Sequence, residues 1–213
     1  MADSVIDAEG LSELHARAEK HPLDPPVDVF LFLRHGRTRG NAEKIFQHPD
    51  VPLDDHGVGQ AERAAAILRQ ATFSHIMAST MARAWQTASI VGTATARQVT
   101  AHDPIRERYF GDLIGTSSAA LDWRISPPNG ETLDGFIART AAGLASALAT
   151  GGTPLVVAHG GTLHCLAGML RLDLAPEMRQ NAVPLLLTRA GKGWSVRPVD
   201  ASAGRVGEAA NLS

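Results

Sequence analysis

Two histidines in this sequence of 213 residues lie within two residues of the end of a short apolar run and directly before glycine. His35 lies between Arg34 and Gly36, and His159 precedes Gly160 and a second glycine. An imidazole nitrogen can attack phosphorus, and a guanidinium holds phosphate through two parallel hydrogen bonds. Backbone N–H groups after a strand can point at an anion. The sequence around His35 therefore predicts a phosphate cradle that contains a nucleophile, although three residues alone are a weak signal.

The apolar runs before these histidines, residues 27–33 and 154–158, are typical of buried strands in a parallel sheet. Further strands are predicted over 74–78 and 98–101, and helices over 57–71, about 81–91, 132–149 and about 162–172. Residues 183–188 and 194–199 flank a glycine turn, which predicts a hairpin. This alternation predicts an α/β fold: a three-layer α/β/α sandwich with a mainly parallel central sheet, a small cap insertion and a C-terminal hairpin. Such sheets bind ligands beyond the carboxyl ends of their strands, where both histidines lie.

The chain divides into three parts by composition. Residues 1–26 form an N-terminal extension with an accessory helix over 8–20, which prolines end. Residues 27–200 form the main domain, and a segment rich in Ser, Pro and Asn at about 113–131 is the expected cap. Residues 201–213 are small and polar and are expected to be a loose tail.

Further residues extend the pattern around the two histidines in a fixed order along the chain. These are Leu33-Arg34-His35-Gly36-Arg37-Thr38 with Asn41, Asp50-Val51-Pro52-Leu53 with Gly57 and Gln60, Arg83-Ala84 with Gln86-Thr87-Ala88, Arg106-Glu107-Arg108-Tyr109-Phe110-Gly111, Gly130-Glu131-Thr132, and Val157-Ala158-His159-Gly160-Gly161. The ordered set resembles the histidine phosphatase superfamily and its phosphoglycerate-mutase-like branch, over about residues 30–170.

The resemblance implies a role for each core residue. His35 would form a phosphohistidine, and Arg34, Arg83 and His159 would surround the phosphoryl oxygens. Glu107 would protonate the leaving oxygen and then deprotonate the attacking water; its alternative is a surface glutamate paired with Arg106 or Arg108. His35 must offer one unprotonated nitrogen, so its other nitrogen is expected to meet an acceptor such as a backbone carbonyl of the following glycine region.

The resemblance also implies roles for residues around this core. Thr38 and Asn41 would help bind the transferred group, and Glu131 would set the cap side of the pocket. Gly160 is expected both to allow a tight turn from strand to helix and to offer its backbone N–H to an anion. Arg37, with Arg39 and Arg108, adds positive charge near the entrance and suggests a second acidic group on the substrate, or else forms a solvated rim.

Three functions remain open from the sequence. Only residues 108–158 separate Glu107 from His159, which is too short for the full lid of a mutase, so we expect hydrolysis of a small phosphorylated substrate without a cofactor. The alternatives are a phosphoglycerate mutase and a binding or regulatory protein with little turnover. Arg37 and Leu113-Ile114 depart from the family pattern at the pocket mouth and leave the substrate open.

Composition excludes several other classes. A net charge of -2 argues against a nucleic-acid partner, and no apolar stretch is long enough to span a membrane. The single cysteine, Cys165, and the histidine spacings predict neither a disulfide nor a metal site. A cytoplasmic protein is the default expectation, and the resemblance suggests a homodimer.

Overall fold

The computed structural model describes residues 9–199, which fold around one six-stranded sheet. Its spatial strand order is β3-β2-β4-β1-β5-β6. The pairs β1–β4, β2–β4 and β2–β3 are parallel, and β5 and β6 join as an antiparallel hairpin beside β1. The predicted sheet, mainly parallel with a C-terminal hairpin, is therefore confirmed. The strands are β1 (Val29–Arg34), β2 (His75–Ala78), β3 (Val99–Ala101), β4 (Pro154–Ala158), β5 (Pro184–Ala190) and β6 (Gly193–Pro198).

The helices follow the predicted order with shifted ends. The helix after β4 begins at Gly160 instead of residue 162, because the two glycines form its first turn instead of a separate loop. A short helix after β1 was not predicted; Thr38 and Asn41 form a reciprocal capping box that starts it. The helices are α1 (Leu11–Ala18), α2 (Arg39–Glu43), α3 (Asp55–Leu68), α4 (Ala82–Thr95), α5 (Leu133–Leu148) and α6 (Gly160–Leu170), with 3-10 turns at Asp103–Ile105, Gly111–Leu113 and Pro176–Arg179.

Each central strand buries both of its faces, which produces the three layers. In β1, Phe30 and Phe32 point into one apolar cluster, and Leu31 and Leu33 point into the other. The first cluster contains residues of α1, α5 and α6, and the second contains residues of α3 and α4. Because side chains alternate along a strand, a continuous apolar run is what a sheet covered on both faces requires.

The helix of the N-terminal extension belongs to this core. Leu14 and Ala18 of α1 are fully buried against the layer that contains α6. A Cβ atom on Gly168 of α6 would lie 2.7 Å from the Cβ of Ala18 and 2.8 Å from the carbonyl oxygen of His15, so the missing side chain permits close packing of the two helices. The predicted tail, residues 201–213, lies outside the described residues.

The expected cap is fixed to the main domain by backbone hydrogen bonds. The N–H of Phe46 donates to the carbonyl of Thr116 at 3.0 Å, and the N–H of Gly115 donates to the carbonyl of Phe46 at 2.8 Å. Arg108, expected to add charge at the entrance, is instead 2% exposed, and its guanidinium donates to the carbonyls of Glu131, Trp123 and Ile125. This arginine therefore ties the middle and the C-terminal end of the cap to the segment that carries Glu107. Within residues 9–199, no helix combines the length and apolar character needed to cross a membrane.

Candidate active site

The two histidines meet because their strands are neighbours. Arg34 at the end of β1 pairs with Ala158 at the end of β4, and the N–H of His35 donates to the carbonyl of Ala158 at 3.0 Å. The rings of His35 and His159 consequently face each other, with centroids 5.2 Å apart and planes inclined by 61°. Both side chains are buried. The parallel register alone thus joins two residues that are far apart in the sequence.

The hydrogen bond of His35 decides which of its nitrogens is available. Nδ1 lies 2.7 Å from the carbonyl oxygen of Gly36, and a carbonyl can only accept, so Nδ1 carries the hydrogen. The predicted backbone acceptor is therefore confirmed. Burial, followed by the charges of Arg83 and Arg34, lowers the pKa of His35 well below its ordinary value, against the opposing effect of the Gly36 bond. The ring is neutral at physiological pH, with a lone pair on Nε2.

Two arginines supply positive charge beside this ring. Arg34 donates through Nη1 to the carbonyl of Arg179 at 2.6 Å. Arg83, near the start of α4, donates to the carbonyl of His48 at 3.1 Å, while its Nε is buried without a hydrogen-bond partner. Burial lowers the pKa of Arg83 to about 10, with Glu107 opposing the shift and Arg34 adding to it. An anion between these guanidinium groups would supply the missing acceptor and offset the charge.

His159 also keeps one ring nitrogen without a partner. Its Nε2 lies 2.7 Å from the hydroxyl oxygen of Ser79, and its buried Nδ1 has no hydrogen-bond partner. Burial, the charges of Arg83, His35 and Arg34, and a smaller effect of Arg139 lower the pKa of His159 well below its ordinary value. When the Ser79 hydroxyl donates to Nε2, Nδ1 carries the hydrogen and can donate to a phosphoryl oxygen.

Glu107 is held by the start of α6. Its Oε2 accepts from the N–H of Gly161 at 2.9 Å, and its Oε1 accepts from the N–H of Arg108 at 2.9 Å. A Cβ atom on Gly161 would lie 2.2 Å from Oε1, so only glycine leaves room for this carboxyl group. The alternative for Glu107 was a surface pair with Arg106 or Arg108. The structure gives Arg106 an ion pair with Asp103 instead.

The remaining predicted residues divide between the cavity and its surroundings. Arg37, Asn41 and Gly160 line the same cavity as His35, which encloses about 470 Å³. Arg37 is paired there with Asp54, whose Oδ2 lies 2.9 Å from its Nε. Thr38 is buried as the N-cap of α2 and does not line the cavity.

Glu131 was expected on the cap side of the pocket, and the structure places it elsewhere. Its carboxylate forms an ion pair with Arg139 of α5 at 2.7 Å, and it does not line the cavity. Arg139 also donates to the carbonyls of Pro104 and Arg106. Glu131 therefore holds together the segments that flank Glu107.

Sequence reasoning missed four residues around the site. Ser79 sets the ring of His159, Asn181 donates to the carbonyl of His35 at 2.8 Å, and Arg179 and His164 line the cavity. Arg179 and Asn181 reach the site through the pairing of β5, which the sequence alone does not fix. Because β5 runs antiparallel to β1, with Pro184 opposite Leu33, the residues before β5 return to the edge where β1 ends.

A cluster of aromatic side chains lines the cap side of the cavity. Phe46 and Phe110 lie with ring centroids 4.4 Å apart, and Phe110 lies 6.3 Å from Trp123. All three line the cavity together with Leu121 and Leu163.

Within residues 9–199, no group of three or more His, Cys, Asp and Glu side chains is placed to hold a metal ion.

Comparisons with known proteins agree with this geometry. The family model described as "Histidine phosphatase superfamily (branch 1)" matches residues 30–197. A probable phosphoglycerate mutase of Proteus mirabilis is 34% identical over 157 residues, which are 66% of this chain and 73% of that protein. The agropine synthesis reductase of Rhizobium rhizogenes is 30% identical over 188 residues, and the match covers 82% of this chain but only 43% of that protein. A mycobacterial glucosyl-3-phosphoglycerate phosphatase, solved with VO3, superimposes with a TM-score of 0.66 at 25% identity and covers 81% of this chain and 97% of its own.

Proposed function

The chain belongs to the histidine phosphatase superfamily, and on that premise we propose that it hydrolyses small phosphomonoesters through a phosphohistidine on His35. The members of this superfamily are phosphatases or mutases, so the proposal concerns the acceptor of the phosphoryl group. In a phosphatase that acceptor is water. In a mutase it is a hydroxyl group of a second substrate.

One observation carries the proposed mechanism: the Nδ1–H of His35 is bonded to the carbonyl of Gly36, which leaves Nε2 unprotonated among two arginines and a second histidine. Phosphoryl transfer depends mainly on positioning and on stabilising spread negative charge. Arg83 Nε and His159 Nδ1 are buried without partners, and a phosphoryl group at Nε2 of His35 would supply acceptors for such donors.

The reaction has two steps. Nε2 of His35 attacks phosphorus, the bond from phosphorus to the ester oxygen breaks, and Glu107 gives its proton to the departing alcohol. Water then attacks the phosphohistidine, Glu107 takes a proton from it, and the bond from nitrogen to phosphorus breaks to release inorganic phosphate. The backbone N–H groups of Arg108 and Gly161 hold both oxygens of Glu107. Each oxygen keeps a second lone pair that can carry the proton.

The short cap supports hydrolysis over transfer to a second substrate. Only residues 108–132 lie between Glu107 and α5, and they form the cap and the wall around Trp123. A structural neighbour named as a phosphatase covers most of this chain. The second candidate is a phosphoglycerate mutase, which the names of several relatives at 29–34% identity favour.

The deciding experiment compares wild type with His35→Ala on phosphoglycerates, sugar phosphates, nucleotides, phosphoserine and an aryl phosphate. We expect release of inorganic phosphate by wild type and a loss of at least about 10⁴-fold in kcat for His35→Ala, as for other covalent nucleophiles. His56→Ala, at an exposed position on α3, is the matched control. Turnover that survives in His35→Ala would refute the mechanism.

Two further measurements separate the alternatives. A coupled assay with the bisphosphate as primer identifies a mutase, because only a mutase interconverts the two monophosphoglycerates without releasing phosphate. Wild-type turnover of an aryl phosphate no higher than that of His35→Ala would favour a regulatory protein. The homodimer and the cytoplasmic location stay predictions that these assays do not address.

A further inference from the structure

The wall of the cavity carries far more positive than negative charge. Among the described residues that line it, Glu107 is the single acidic side chain. The pKa values of His35 and of His164, the latter lowered to about 3 mainly by burial, keep these rings neutral. The arginines and lysine of the wall are Arg34, Arg37, Lys44, Arg83, Arg108 and Arg179.

Four of these six cations already have a role. Arg34 and Arg83 flank the ring of His35, where a phosphoryl group would lie. Arg37 forms an ion pair with Asp54, and Arg108 donates to three backbone carbonyls. Two cations are left, Lys44 and Arg179.

Arg179 differs from Lys44 in its burial. Lys44 is exposed at the rim, whereas Arg179 is half-buried and its Nε is buried without a hydrogen-bond partner. No aspartate or glutamate of residues 9–199 forms an ion pair with Arg179. A buried donor without an acceptor carries a desolvation cost that a bound ligand would remove.

The position of Arg179 connects it to the phosphate site. It ends the 3-10 turn Pro176–Arg179, and its carbonyl accepts from Nη1 of Arg34 at 2.6 Å. Its charge helps to lower the pKa of His164 on α6, after the effects of burial, His15 and Arg34. Arg179 therefore lines the same cavity as the neutral ring of His164 on α6, and its backbone holds Arg34 of the phosphate site.

From this geometry we propose that Arg179 determines specificity by binding a second anionic group, of single negative charge, on the phosphomonoester substrate. The inference rests on the proposed function, since it concerns the substrate of the same cavity. A carboxylate fits best, because one guanidinium balances one charge and its planar fork matches two carboxylate oxygens. The apolar side chains of Phe46, Phe110 and Trp123 line the same cavity and suit the ring or chain that would join the two anions.

The test uses pairs of esters that differ only in this charge: 3- and 4-carboxyphenyl phosphate and the corresponding primary amides. We expect wild type to prefer at least one acid over its amide by about tenfold in kcat/KM, the value for one charge-assisted bond at a partly exposed site. Arg179→Gln should reduce this ratio to within about threefold of one, and Arg179→Lys should restore part of it. Arg171→Gln removes the same charge from an arginine that is 76% exposed and outside the cavity, and should keep the wild-type ratio.

Two results would overturn the inference. One is a wild-type enzyme that shows no preference between acid and amide. The other is an Arg179→Gln variant in which kcat/KM falls by the same factor for the acid and for the amide, because Arg179 would then act only through the position of Arg34.

Equilibrium binding separates this inference from the proposed function. Calorimetry on His35→Ala measures the affinities for the same acids and amides without turnover. Tighter binding of an acid that disappears in the double variant with Arg179→Gln supports the second-anion site even if no ester is hydrolysed. If His35→Ala binds acid and amide with equal affinity while the wild type hydrolyses esters normally, the second-anion site is rejected and the phosphatase proposal stands.

Discussion

At one end of the cavity the paired strands β1 and β4 position His35 and His159, with Arg34 and Arg83 beside them; we call these four residues the phosphate end. At the other, residues 44–46 and 113–131 meet through hydrogen bonds between loops; we call this the cap end. The register of a strand is strongly specified wherever its faces are buried, whereas loops tolerate changes of length and sequence. The phosphate end therefore suits the common chemistry, and the cap end suits the selection of a particular substrate. Substitutions at the phosphate end should impair every substrate, and those at the cap end should act on some substrates more than on others.

After the loss expected for His35→Ala, the largest effect is expected for Arg83→Met. Loss of a preorganised charge that stabilises a transition state costs about 10²–10³-fold in kcat, and this loss should be similar for all substrates. Thermal stability should not fall, because burial lowers the pKa of Arg83 and its charge destabilises the empty site. Steady-state kinetics and thermal unfolding of the same variant check both statements. A stable variant with wild-type activity would remove Arg83 from the mechanism, and a strongly destabilised one would make it a structural residue.

The next effect concerns Ser79, which acts through the ring of His159. Without its hydroxyl, Nε2 of His159 loses its partner and the two tautomers of the ring become closer in energy. We expect Ser79→Ala to lower kcat by about tenfold, from the loss of one hydrogen bond, and Ser79→Thr to restore most of it. Imidazole ¹⁵N shifts should show a mixed tautomer of His159 in Ser79→Ala alone. A single unchanged tautomer in that variant would contradict this role.

The same contrast explains what the sequence could predict. The apolar runs and the glycines after them identify two strand ends, so the positions of His35 and His159 and the backbone acceptor for His35 were predictable. The partners of Arg108 and Glu131 were not, because they belong to loops whose mutual placement no periodicity encodes. The sequence therefore predicted Arg108 as a positive charge at the cavity entrance, whereas in the structure its guanidinium holds the cap through hydrogen bonds. Arg179 was missed because it lies in an irregular segment between α6 and β5, which only the antiparallel pairing of β5 brings to the site.

A third prediction concerns His164, which lines the cavity and whose Nδ1 lies 3.3 Å from Nε2 of His15 of α1. The pKa of His164 is lowered to about 3 in the folded protein. Below pH 6.5 this ring therefore binds a proton in the unfolded chain but stays neutral in the folded one. Stability is therefore lost as pH falls from 6.5, by about 2 kcal/mol at pH 5 for this group. His164→Gln should reduce the difference in unfolding free energy between pH 7.5 and pH 5 by that amount.

Chemical denaturation at the two pH values measures this difference. His56→Gln, at an exposed position on α3, should keep the wild-type difference. An unchanged difference in His164→Gln would mean that the ring is solvated and takes up its proton in the folded state.

The smallest effect belongs to the cap end and separates stability from specificity. Gly115 and Gly151 have φ angles of +87° and +80°, and a Cβ atom on either would meet nothing within 4 Å. Alanine at either position therefore costs only the backbone strain, about 1–2 kcal/mol of unfolding free energy. Gly115 alone donates to the carbonyl of Phe46 in the cavity wall, while Gly151 lies in the turn between α5 and β4. Gly115→Ala should therefore raise KM for aryl phosphates a few-fold and Gly151→Ala should not, although both lower the melting temperature alike. Equal KM values in the two variants would show that the cap end does not select the substrate.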